Sequence, residues 1–257
     1  MTKKIVVAGM HRTGHHPIAV WLLHQQKNIY DFSINTIAPW LFQVQTDDGT
    51  SILANNPLKR GPEEHTDKLK FDDIIADISP NRLILTHEQE KISQVALSCA
   101  YSSAVSGSNI KPEIVIILRD FKNWLASCIK MSQRDNKPIE QIVNDTKVEN
   151  YIDHFKYVNN EETPTHHILY NQWVTDINYR AEICDKLGLK FTDAAINQLS
   201  IFGGGSSFDG MKYIKTAWEM DVNTRYKTME YDKTYQTLLQ KYKHVLDISN
   251  EVFGKQI

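Results

Sequence analysis

The stretch that most constrains this chain is residues 4–17, KIVVAGMHRTGHHP, where a short apolar run enters a turn bracketed by Gly9 and Gly14. Lys4 to Ala8 has the β-branched character of a strand covered on both faces in a parallel sheet. The spacing G-x-x-x-x-G then leads into a helix predicted over Ile18 to Gln26. Strand, glycine-bracketed loop and helix bring backbone N–H groups and a positive helix end to one point, which is a seat for an anion. Pro17 suits the first helical turn, where its missing N–H has no intrahelical partner to lose. After Gly14 come His15 and His16, where a nucleoside-triphosphate loop carries Lys followed by Ser or Thr. The usual magnesium ligand is thus absent, and the loop's own cation is Arg12. Taken alone, the stretch is equally compatible with an ordinary strand-to-helix turn.

The rest of the composition narrows the partners. A length of 257 residues suits one α/β domain spanning 1–257. The net charge of -2 and pI near 6.5 give no general case for nucleic acid or an anionic membrane, so any anion must be met locally. Cys99, Cys128 and Cys184 are widely spaced, odd in number and without a C-x-x-C pair, and read as reduced core thiols. No window approaches the roughly 20 apolar residues needed to cross a bilayer. A soluble, cytoplasmic protein is expected.

Strands and helices alternate along the chain. Residues 28–56 mix aromatics with polar residues without a sustained period and read as a long, partly packed loop region. Residues 55–70 are polar and proline-bearing and read as an insertion. Arg82 to Leu85 is predicted as a strand leading into Thr86, His87 and Glu88, with a helix from Glu90 to Val105. Glu113 to Leu118, EIVIIL, is the most strand-like run. Asp120 caps the helix FKNWLASCIKM that follows it. Pro138 opens another helix, NNEETPT (159–165) is a loop, and His167 to Tyr170 is a short strand. Asn171 to Leu187 is a helix stopped by Gly188. Gly203-Gly204-Gly205-Ser206-Ser207 is a flexible or phosphate-cradling loop, and Tyr231 to Phe253 is helical. This alternation predicts an α/β fold in three layers, a central, mostly parallel sheet flanked by helices, with ligands at the carboxyl ends of the strands.

Polar residues of compatible type sit at three strand ends, and on them the chain resembles the sulfotransferases that use 3′-phosphoadenosine 5′-phosphosulfate (PAPS), with a P-loop-like core. That family's first loop, x-[RK]-[ST]-G-[TS]-[TS], reads H-R-T-G-H-H at residues 11–16, with Arg12 and Gly14 matching. Its second signature, an Arg at a strand end with a Ser eight positions on, is Arg119 and Ser127 in LRDFKNWLAS. LILTHEQE resembles the family's strand ending in Lys-Thr-His, with Thr86 and His87 matching and Leu85 in the lysine's place. ILYNQWVTDINYRAEICDKLGL resembles its late strand and helix. The resemblance implies donor binding by Gly9, His11, Arg12, Thr13, Gly14, His15 and His16, a 3′-phosphate held by Arg119 and Ser127, and a late loop of Gly205, Ser206 and Ser207 over the donor. It implies a metal-independent in-line displacement on sulfur, with His87 as base, Glu88 as its understudy, and Arg12 aided by His15 or His16 stabilising the transferring group. The acceptor is a hydroxyl or amine of a small molecule or carbohydrate, met by insertions 28–70 and 132–160.

Other readings weigh against each of these. His15 and His16 stand where the family has hydroxyl residues, so their hydrogen bonds must come from imidazole or backbone. His11, His15 and His16 suggest no metal by spacing, since Gly14 intervenes and no carboxylate or cysteine follows at ligand distance. Trp21 and Trp124 lie on apolar helix faces and read as core, and His166-His167 as structural. A small-molecule kinase on the same G-x4-G skeleton would need the missing lysine and magnesium ligand. A non-catalytic nucleotide-binding module that keeps the fold is the third possibility.

Overall fold

A computed structural model describes residues 3–25, 35–38, 41–46, 49–55, 82–96, 112–158, 165–193, 195–197 and 205–254. Its centre is a seven-stranded sheet: β1 (Lys3–Gly9), β2 (Asn35–Ala38), β3 (Leu41–Thr46), β4 (Gly49–Asn55), β5 (Arg82–Glu88), β6 (Glu113–Leu118) and β7 (Thr165–Leu169). The strand order is β2-β3-β4-β5-β1-β6-β7. From β4 to β7 every neighbouring pair is parallel, while β2-β3 and β3-β4 are antiparallel. This is the expected mostly parallel α/β sheet. The loop region expected at 28–56 is corrected: its described residues form β2, β3 and β4, which extend the sheet. Phe42-Gln43-Val44-Gln45 does alternate with period two, a strand pattern obscured by the irregular residues on either side.

Two apolar clusters cover the two faces, because successive side chains of a strand point oppositely. Ile5 and Val7 of β1 meet Ile18, Trp21 and Leu22 of α1 (His15–Leu23), along with Trp173 of α5 (Tyr170–Thr175) and Ile183 of α6 (Ile177–Lys186). Val6 and Ala8 meet the opposite layer, built on α2 (Phe121–Arg134), α3 (Ile139–Ile142) and α4 (Asp145–Phe155), with α7 (Lys233–Lys241) and α8 (Lys243–Phe253) packed outside. The layers are therefore helix, sheet, helix. Trp21 and Trp124 are fully buried, one in each layer.

The helix ends follow their sequences. The Asp120 carboxylate accepts from the Asn123 N–H and caps α2. Gly188 (φ 57°) ends α6, with its N–H on the Asp185 carbonyl and the Leu189 N–H on that of Cys184. The single helix expected over 171–187 is instead two, because Asp176 accepts from the N–H groups of Asn178 and Tyr179 and starts α6 afresh. The expected 231–253 helix likewise breaks, at Tyr242. Residues 92–96 are helical; the remainder of the helix expected to Val105, residues 56–70 of the 55–70 insertion, residues 159–164 and Cys99 lie outside the described residues. Cys128 and Cys184 are buried free thiols. No helix among the described residues is long and apolar enough to cross a membrane.

Candidate active site

The chain leaves β1 toward β4 and β5 on one side and continues to β6 and β7 on the other. The carboxyl end of β1 is therefore a point where the strand order reverses, and crevices form at such points. A cavity of about 450 Å³ opens there. Its floor is formed by His11, Arg12 and Gly14 of the loop and by the first turn of α1, with Gly14 as the residue before the helix.

The loop is tightly built. Gly14 has φ 88°, and a Cβ there would come within 2.2 Å of the Tyr170 ring. A Cβ on Gly9 would meet the His15 Cβ and the Thr13 hydroxyl at 2.9 Å. Both glycines are thus dictated by close approach, and Gly14 by its left-handed backbone as well. Arg12 also has a positive φ, 65°. The Thr13 hydroxyl donates to the Met10 carbonyl within the loop, and the Trp124 indole N–H donates to the His11 carbonyl at 2.7 Å. Arg119, at the end of β6, donates to the Arg12 carbonyl at 2.9 Å, to the Ser127 hydroxyl at 3.0 Å and to the Val222 carbonyl at 2.8 Å. The predicted Arg119–Ser127 pair is thus in contact, at the spacing that sets a strand end beside a residue two turns into the next helix. The Arg119 guanidinium also lies 5.2 Å from the centre of the Tyr170 ring.

Three guanidinium groups gather on one side of the cavity. Arg12 donates to the Gly205 carbonyl at 3.3 Å, and its Nε is buried without a hydrogen bond among the described residues, as is that of Arg119. Arg225 donates to the Ser206 hydroxyl at 3.0 Å and pairs with Asp209 at 2.6 Å. Burial lowers the Arg12 pKa despite an opposing contribution from Cys128, and neighbouring cations, Arg119 first, lower it further. Burial, then the charge of Arg119, lowers Arg225 to about 10. Like charges held this close favour an anion between them.

The other side is a histidine–carboxylate cluster. The β1–β5 register sets Glu88 beside Gly9 and His87 beside Ala8. Alternation along β5 then turns the two side chains to opposite faces. Glu88 falls on the α1 face, with Oε1 3.3 Å from His15 Nε2 and Oε2 2.7 Å from His11 Nε2. Gln89 reaches the other ring nitrogen of His11. Burial, then His16, lowers His15 to about 3, so its ring is neutral near neutral pH. Burial pulls Glu88 toward its protonated form, but the surrounding histidines, His15 first, outweigh it, and the carboxyl titrates at about 2.

The cavity wall includes His11, Arg12, Gly14, His15, His16, Glu88, Arg119, Gly205 and Ser206 among the residues singled out by sequence. It does not include Gly9, Thr13, His87, Ser127 or Ser207. His87 is buried on the far face and donates to the Glu90 carboxylate at 3.1 Å. Ser206 is occupied by its own turn, donating to Asp209 and accepting from Arg225 and two backbone N–H groups. Sequence reasoning missed Arg225, which lies in a single 3₁₀ turn with no periodic signal, and did not single out Arg134, Lys137 and Trp218 on the same wall. The segment 132–160 supplies Arg134, Asp135, Lys137 and Ile142, whereas no described residue of 28–70 lines the cavity.

The site is a cavity at the carboxyl ends of the parallel strands, lined by the guanidinium groups of Arg12, Arg119 and Arg225 and by the first turn of α1. No family model matches the sequence, and no curated protein matches it. Among solved structures, the sulfotransferase domain of the Synechococcus PCC 7002 olefin synthase is similar at 12% identity and a TM-score of 0.49, covering 100% of this chain and 97% of that one. The sulfotransferase domain from the curacin biosynthetic pathway is similar at 12% identity and a TM-score of 0.49, covering 95% of this chain and 98% of that one. No residue role is carried over from either.

Proposed function

We propose that the protein is a sulfotransferase that moves a sulfuryl group from PAPS to a hydroxyl or amine, with a carbohydrate among the candidate acceptors. The supporting observation is the convergence of Arg12, Arg119 and Arg225, from three separate segments, on a cavity that also opens onto the first turn of α1. A donor with two separated anionic groups suits such a set: Arg12 and the α1 end take one group, Arg119 and Arg225 the other. Kinase chemistry is less well served, since a magnesium-bound triphosphate would be expected to use the absent lysine and hydroxyl pair.

In this reading the acceptor oxygen attacks sulfur, the sulfur–oxygen bond to the phosphate breaks, and the acceptor proton passes to Glu88. Glu88 takes the part that the resemblance gave to His87, because it is ionised and on the cavity wall while His87 faces Glu90. Arg12 offsets charge gathering on the leaving phosphate, and Arg119 positions the donor without changing a bond. Trp218, 68% exposed on the wall, leaves an apolar face for an acceptor ring. Incubation with sulfur-labelled PAPS and a panel of sugars, alcohols and amines tests the reading. Label should move to one acceptor class without added metal. No labelled acceptor, with phosphate instead moving from magnesium-ATP, would overturn it.

A further inference from the structure

A second capability lies in the cluster that holds Glu88. His15, His16 and Glu88 each offer a ligand atom, and the three atoms lie within 4.8 Å of one another. His15 Nε2 and Glu88 Oε1 are 3.3 Å apart. A tetrahedral ion bonded to nitrogen and oxygen at about 2.0–2.2 Å separates its donors by roughly that distance. His15 Nε2 is buried and makes no hydrogen bond among the described residues, so the nitrogen is available to a metal.

The arrangement around these atoms is that of a supported ligand set. Glu88 keeps one oxygen toward His15 while His11 holds the other at 2.7 Å, and Gln89 in turn holds His11. Partners of this kind fix the orientation of a ligating carboxylate. His15, His16 and Glu88 also line the cavity, so a further coordination position would face its interior. Two imidazoles and one carboxylate suit zinc or another borderline divalent ion, whereas magnesium and calcium require oxygen.

We propose that His15, His16 and Glu88 form a binding site for a divalent transition metal, zinc by donor chemistry. Occupancy takes the lone pairs of Glu88, so if the function proposed above holds, metal turns the transfer reaction off. Metal binding itself does not depend on that function and is measured without donor or acceptor.

The test titrates chelator-stripped full-length protein with Zn²⁺ against a chromophoric chelator and, separately, follows the visible spectrum with Co²⁺. One high-affinity Zn²⁺ per chain and a four-coordinate Co²⁺ spectrum are expected. Glu88→Gln and His16→Ala should each weaken Zn²⁺ by more than about a hundredfold, and His11→Ala by roughly tenfold to a hundredfold. Thermal melts of metal-free variants establish that they fold, and the half-buried His16 and Glu88 are chosen because His15 is fully buried in the loop and His15→Ala would disturb it. Absence of stoichiometric binding, or binding that survives both Glu88→Gln and His16→Ala in folded protein, overturns the site. Loss of PAPS turnover without loss of metal binding would fall on the proposed function alone.

Discussion

The two sides of the cavity are built differently. The arginine side is braced from several segments: Arg119 is tied to the carbonyls of Arg12 and Val222, and Arg225 to the Ser206 hydroxyl and the Asp209 carboxylate. Its charges are permanent, since even the lowered Arg225 remains a cation near neutral pH. The histidine side is a set of titratable side chains joined chiefly to one another, with the His11 side chain 36% exposed. On the proposed reading the difference separates the work: the fixed side binds and orients the donor, while the titratable side takes the acceptor proton or a metal.

The largest expected effect breaks the fixed side. Arg119→Ala removes a buried cation and three hydrogen bonds and should weaken binding of 3′-phosphoadenosine 5′-phosphate by more than about a hundredfold in calorimetry, at least about 3 kcal/mol. Next, Glu88→Gln should lower turnover by about a hundredfold while donor affinity changes by no more than a few-fold. His87→Asn, altering the opposite face, should leave turnover within a few-fold, and a loss as large as that of Glu88→Gln would return the base to His87. Gly14→Ala sets a Cβ into the Tyr170 ring at a left-handed position and should cost about 2 kcal/mol in urea unfolding. Ser127→Ala should be mild, about 1 kcal/mol in donor affinity, because Ser127 supports Arg119 from behind the wall rather than lining it.

What could be read from sequence was what is local. The 4–17 loop and the Arg119–Ser127 pair are each one strand, one turn and one helix, so spacing alone brings their residues together. The face of His87 and Glu88 was not legible, because it depends on one-residue parity in a strand whose end extends three residues beyond the predicted Leu85. Glu88 reaches His11 and His15 from β5 through the β1–β5 register, a meeting that local spacing near His15 does not encode. Arg225 is brought in by Ser206 and Asp209 across a long loop, and nothing in its own neighbourhood marks it. The break at Asp176 has a similar cause: an aspartate reads as helix interior or as a cap until its hydrogen bonds are seen.

The most direct measurement is calorimetric titration of the metal-free protein with 3′-phosphoadenosine 5′-phosphate and, in parallel, with magnesium-ATP. Tight one-to-one binding of the bisphosphate, lost in Arg119→Ala and much stronger than that of magnesium-ATP, is the predicted result. Preference for magnesium-ATP, or bisphosphate binding indifferent to Arg119, would contradict the assignment of the arginine side to the donor.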